Sequence, residues 1–151
     1  MTREEIEEVF PGLFGQPFEI TSPPDETYNC VSWSVNDTAM YWWPVPPGFW
    51  PGKRWLAEVA REETLEAFLA LYKRLLFVEC TSADPEPGFD KIAIYAGADG
   101  LVTHAARRWI EDQGWSSKLG EENDICHFTL DSLEGEAYGK VVRIMKRRRA
   151  A

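Results

Sequence analysis

An α+β fold, helices first and an antiparallel sheet after them, is predicted by the order of patterns along the 151-residue chain. Helical signals dominate the first half. β-rich segments parted by turn signals fill the second. Strands and helices do not alternate, and this argues against a parallel, doubly wound sheet.

Thr2 and Glu5 carry the capping-box pattern of a helix over 2–10, which Pro11-Gly12 ends. Residues 14–20 read as an extended segment. Ser22-Pro23-Pro24-Asp25 breaks the chain, because proline fixes φ and removes a donor. A second helix is predicted from Tyr28 or Asn29 to Val35, with Asn36-Asp37 as its stop. An aromatic, proline-rich loop follows over 41–55; its prolines and glycines oppose regular structure. Its tryptophans Trp42, Trp43, Trp50 and Trp55 suit burial in the core or stacking on a ligand. Residues 63–76 give the clearest helix, with Leu65, Phe68, Leu69, Tyr72, Leu75 and Leu76 on one apolar face.

A short strand is predicted over 77–80. Residues 91–95 and 101–106 form a hairpin around Gly97-Ala98-Asp99-Gly100. Another strand is expected over 115–119, a short helix over 129–133 and a closing strand over 140–145. One domain is expected over 1–151, with a short basic tail over 146–151 that reads as a solvated terminus.

Composition narrows the function. The net charge of -9 argues against broad binding to nucleic acid or to an anionic membrane. Cys30, Cys80 and Cys126 make a poor disulfide framework and point to a reducing compartment. The acidic N-terminus lacks a signal peptide's apolar core, and no run approaches the ~20 apolar residues of a membrane span. A cytoplasmic protein is expected. With no CxxC and two histidines, no metal site is expected, and no residue pattern implies a cofactor. Asp84-Pro85-Glu86-Pro87 reads as an acidic loop and Glu121-Glu122-Asn123-Asp124 as a solvated turn.

Cys30 is the residue that most resembles prepared chemistry. It stands at the first turn of a predicted helix, where the dipole lowers a thiol's pKa and the backbone N–H can hold an oxyanion. Asn29 is a second oxyanion candidate. A cysteine nucleophile needs a base, and the chain offers His104 and His127. His104 lies on the predicted hairpin. His127 lies in a stretch that reads as a loop or irregular strand, where Asp124 could orient it.

The run Asn29-Cys30 opening a helix with Trp33 resembles the nucleophile helix of papain-like enzymes. Lys91-Ile92-Ala93-Ile94-Tyr95, a glycine turn, then Val102-Thr103-His104-Ala105 resembles the hairpin of NlpC-type bacterial peptidases and amidases. The likeness extends to Trp115-Ser116-Ser117-Lys118-Leu119-Gly120, which is similar to small bacterial proteins of this type. It implies a papain-like fold and a cysteine hydrolase acting on an amide or thioester bond of a peptide, protein or other amide substrate. Carried over, Cys30 takes the nucleophile's place and His104 that of the third, polar residue. The family's base position falls on Lys91, a poor base at its ordinary pKa. Three outcomes follow. His104 takes the base role with Asp90, Asp112 or Ser117 as partner; Lys91 is desolvated and acts as an unusual base; or the scaffold binds partners without catalysis. A deamidase-type effector is a further chemistry the same residues permit.

Overall fold

The computed structural model describes residues 1–46, 52–108 and 114–149. Local signals set the first elements. Thr2 accepts from the Glu5 N–H and the Glu5 carboxylate from the Thr2 N–H, so helix α1 runs over Arg3–Val9. Pro11 then opens a 3-10 turn, Pro11–Leu13. Asn29 caps α2, Cys30–Ser34, and Thr64 caps α3, Leu65–Arg74.

The strands are β1 (Phe18–Ile20), β2 (Tyr41–Trp42), β3 (Lys53–Arg54), β4 (Val78–Cys80), β5 (Phe89–Ala96), β6 (Val102–Arg108), β7 (Trp115–Lys118), β8 (Asp124–His127) and β9 (Lys140–Arg148). Seven of them form one sheet in the order β1-β8-β7-β6-β5-β9-β4. Its described pairings are antiparallel. The architecture is α+β, as expected.

Strand alternation divides the core. On one face of β5, Ile92 and Ile94 meet Phe68, Leu71 and Tyr72 of α3 and Val31 of α2. On the other, Ala93 and Tyr95 meet Ile6, Phe10 and Leu13 of the N-terminal segment. The sheet is therefore covered on both sides, with α2 and α3 on one face and α1 on the other.

Among the described residues of 41–55 the regular structure is confined to β2 and β3, which pair in parallel, Tyr41 with Lys53 and Trp42 with Arg54. Trp42 and Trp55 are buried, whereas Trp50 lies outside the described residues. Three expectations are corrected. The apolar face of α3 stops short of Leu76, which is 77% exposed at φ 74, because the helix has already ended at Arg74. The stretch around His127 is a regular strand, since both β7 and β1 bond to it. Lys146, Arg147 and Arg148 are no solvated tail. They extend β9, where Lys146 pairs with Glu86 at 2.8 Å and Arg147 lies 4.4 Å from the Phe77 ring centre. Among the described residues, no helix is long and apolar enough to cross a membrane.

Candidate functional site

The five-residue helix α2 is fixed by its neighbours rather than by its length. Asn29 Oδ1 accepts from the N–H groups of Ser32 and Trp42, and Asn29 Nδ2 donates to the Trp42 carbonyl at 2.8 Å. One side chain thus caps the helix and ties it to β2. On the sheet side, Arg107 donates to the Trp33 carbonyl at 2.8 Å and covers its ring at 3.4 Å, while Trp33 Nε1 donates to Ser116 Oγ at 3.0 Å. Lys118 holds the approach to α2 by donating to the Asp25 carbonyl at 2.6 Å.

These ties place Cys30 beside β6 and β7. The only residue pair joining those strands in register is Arg107 with Ser116 among the described residues. The first residue of α2 meets the Ala105 N–H of β6. Cys30 is 5% exposed. Burial pushes its thiol up to about 11, although the backbone N–H groups of Ala105, Val31 and Cys30 itself favour the thiolate. The lowered pKa expected of a helix-start cysteine is therefore overturned: desolvation outweighs the short helix's dipole.

His104 lies one residue before the strand position that Cys30 meets. Alternation sends Ala105 toward α2 and His104 toward Tyr95 and Tyr138. The imidazole stacks on Tyr138 with ring centres 4.1 Å apart and planes 5° apart. Its Nε2 meets Ser117 Oγ at 2.9 Å, and Nδ1 is buried without a hydrogen-bond partner. The thiol and the imidazole are thus not hydrogen-bonded to each other. They sit on opposite faces of the sheet: Cys30 packs with Ala105 on the α2 face, and His104, in register with Tyr95, lies on the α1 face.

Beyond Ser117 the polar chain continues. Ser117 Oγ meets His127 Nε2 at 2.8 Å, and His127 Nδ1 meets the Thr129 carbonyl at 2.9 Å. Ser132 Oγ donates to that same carbonyl at 2.7 Å. Burial lowers both histidines, His104 well below its usual range and His127 to about 4. Gly114 lets β7 approach β8 here, because a Cβ at its φ of 76 would meet the His127 carbonyl at 2.8 Å.

The remaining expected residues take other work. Ser117 is the partner His104 was expected to have. Asp90 instead pairs with Arg149 at 2.8 Å, and Asp112 lies outside the described residues. Lys91 donates to the Ser82 carbonyl at 2.7 Å and sits 3.6 Å from Glu86, so its Nζ is engaged by these groups. One amide hydrogen of Asn29 Nδ2 is committed to the Trp42 carbonyl, and Oδ1 caps α2. His127 uses both ring nitrogens within the chain of bonds and is not an alternative base. Asp124 does not orient it, since its Oδ2 accepts from Tyr28 at 2.9 Å on the α2 side. The Thr129 carbonyl orients it instead, a backbone group that no sequence pattern marks. Among the described residues, no three His, Cys, Asp or Glu side chains stand close enough to hold a metal ion.

Residues 19–146 match the family described as "Domain of unknown function (DUF7689)". The chain belongs to this family. The match runs from β1 into β9 and so includes Cys30, His104, Ser117 and His127. No curated protein and no solved structure matches the chain.

Proposed function

We propose that this protein is a papain-like cysteine hydrolase acting on an amide or thioester bond, with Cys30 as nucleophile and His104 as base. The observation that carries the reading is the state of His104: one ring nitrogen is held by Ser117, and the other, buried, has no partner. A base that serves a thiol needs one nitrogen anchored and the other vacant. Cys30, at the start of a helix and faced by the Ala105 N–H, is the nucleophile this reading pairs with it.

In the reaction, Cys30 Sγ attacks the acyl carbon and His104 Nδ1 takes the thiol proton. That proton passes to the leaving amine or thiol, and the backbone N–H of Cys30 supports the oxyanion. Water, deprotonated by His104, then releases the acyl group. The resting pair is neutral, since both groups favour their uncharged forms when buried. The transfer requires Sγ, which packs on the α2 face of the sheet, and Nδ1, which lies on the opposite face with Tyr95, to come within hydrogen-bond reach on substrate binding. A cleft of about 330 Å³ flanks the segment leading into α2, lined by Glu26, Thr27, Ala39, Tyr41, Lys53 and Glu121; neither Cys30 nor His104 lines it.

An activated acyl ester, p-nitrophenyl acetate, followed by mass mapping, tests the reading. The expected product is an acyl adduct on Cys30 that turns over and is lost in Cys30→Ser. Acylation confined to Cys80 and Cys126 would contradict it.

The burial of Cys30 and the anchoring of Lys91 favour a second reading, a scaffold that binds a protein partner without chemistry. A stable partner retained by Cys30→Ser, with no adduct at Cys30, would select it.

A further inference from the structure

The hydrogen bonds from Thr129 to His104 admit only one arrangement of protons when both imidazoles are neutral. The Thr129 carbonyl can only accept, so His127 Nδ1 carries a hydrogen. Neutral His127 then has a bare Nε2, which accepts from the Ser117 hydroxyl. With its hydrogen spent, Ser117 Oγ accepts from His104, so the hydrogen of His104 is on Nε2. Its Nδ1 is left as a lone pair, and it is the nitrogen that has no partner.

We propose that His127, acting through Ser117, is a positioning residue that fixes His104 as the Nε2–H tautomer and so reserves the Nδ1 lone pair for the thiol proton. This rests on the Cys30/His104 reading. The device is rigid at every joint. Ser117 is fully buried and His127 is 1% exposed. The Thr129 carbonyl is also gripped by Ser132, and Tyr138 stacks on the base. The groups facing the two rings are Tyr95, Tyr138 and Ser117 at His104, and Ser117, the Thr129 carbonyl and the charge of Arg108 at His127. None is a carboxylate, and burial keeps both rings neutral near neutral pH. A protonated His127 would reverse the chain: its Nε2–H would donate to Ser117, Ser117 would donate to His104, and the lone pair would be lost from Nδ1.

The chain's two histidines make a direct test practicable. Long-range proton–nitrogen spectra of the full ¹⁵N-labelled chain at pH 7 report the tautomer of each ring, and His127→Gln assigns the signals. Opposite tautomers are expected, with hydrogen on Nε2 of His104 and on Nδ1 of His127. An Nδ1–H on His104, or averaged shifts on either ring, would overturn the proposal. Ser117→Ala, checked for folding by its amide spectrum, is expected to leave the His104 tautomer averaged. It should slow alkylation of Cys30 by about 10²- to 10⁴-fold, the range a wrongly held base costs, and Ser117→Thr should restore part of the rate. If the tautomers are opposite and Ser117→Ala leaves Cys30 alkylation unchanged, the positioning role fails. If His104→Ala also leaves it unchanged, the hydrolase reading fails with it. Opposite tautomers lost together with Cys30 reactivity support both.

Discussion

At the scale of single residues, Cys30 shows two effects of unequal size in competition. A helix N-terminus favours an anion by about 0.3–1 kcal/mol. Raising the thiol from its ordinary 9.0 to about 11 corresponds to about 3 kcal/mol against the thiolate. Burial therefore wins, and Cys30 is a thiol at neutral pH unless a base removes its proton. Titration of the thiolate absorbance of a Cys80→Ser, Cys126→Ser variant checks this. The folded protein should titrate near 11 and the unfolded protein near 8.5 to 9. A folded-state value below 8.5 would mean that another charge acts on Cys30. The position of Cys30 at a helix start was legible from the polar run before it; its burial was not, because the residues that bury it, Ala105 and the α3 face among them, lie many residues later.

At the scale of elements, α2 owes its place to Asn29. Asn29→Ala removes the cap, the bond to Trp42 and the tie between α2 and β2 together. A loss of about 2 kcal/mol is expected, above the ~1 kcal/mol of an ordinary cap. Urea unfolding measures it, with Thr64→Ala at the cap of α3 as the single-bond comparison; equal losses would contradict the linking role. Gly114→Ala is a second element-scale test. Its Cβ would press on the His127 carbonyl, so a shifted His127 ring signal is expected along with lost stability.

The sequence made most of these elements visible where the chemistry is local. Thr2 and Glu5 announce α1 by a capping box, the apolar spacing over 63–76 announces α3, and the 97–100 turn announces the β5–β6 hairpin. β8 was obscure because Asp124 and His127 are polar residues on a strand paired on both sides. The basic run over 146–149 looked solvated because its partners, Glu86 and Asp90, lie about 60 residues earlier. His104 and Ser117 were legible as candidates. The role of His127 was hidden because a backbone carbonyl defines it.

For the whole molecule, the buried histidines predict sensitivity to acid. A histidine lowered in the folded state binds fewer protons there than when unfolded, so stability rises with pH between the two values. For His127 the window runs from about 4, its folded value, to 6.5, its ordinary value. Its contribution is full above 6.5 and falls as pH drops toward 4. His104 is lowered in the same direction. Urea midpoints should therefore fall from pH 7 to pH 5, by about 2 kcal/mol of stability from His127, with His104 acting in the same direction; His127→Gln should flatten the slope, and a midpoint unchanged between the two pH values would contradict the account. The same burial that makes the fold acid-sensitive holds the His104 lone pair in place, so stability and the proposed chemistry share one cause. The most direct test of that chemistry is the rate of Cys30 alkylation by iodoacetamide at pH 7.5, followed by peptide mapping in the wild type and in His104→Ala. A loss of about 10²-fold or more is predicted, because His104 supplies the base for a thiol that burial keeps protonated. An equal rate in the two proteins, with Cys30 mapped as the modified residue in both, would contradict it.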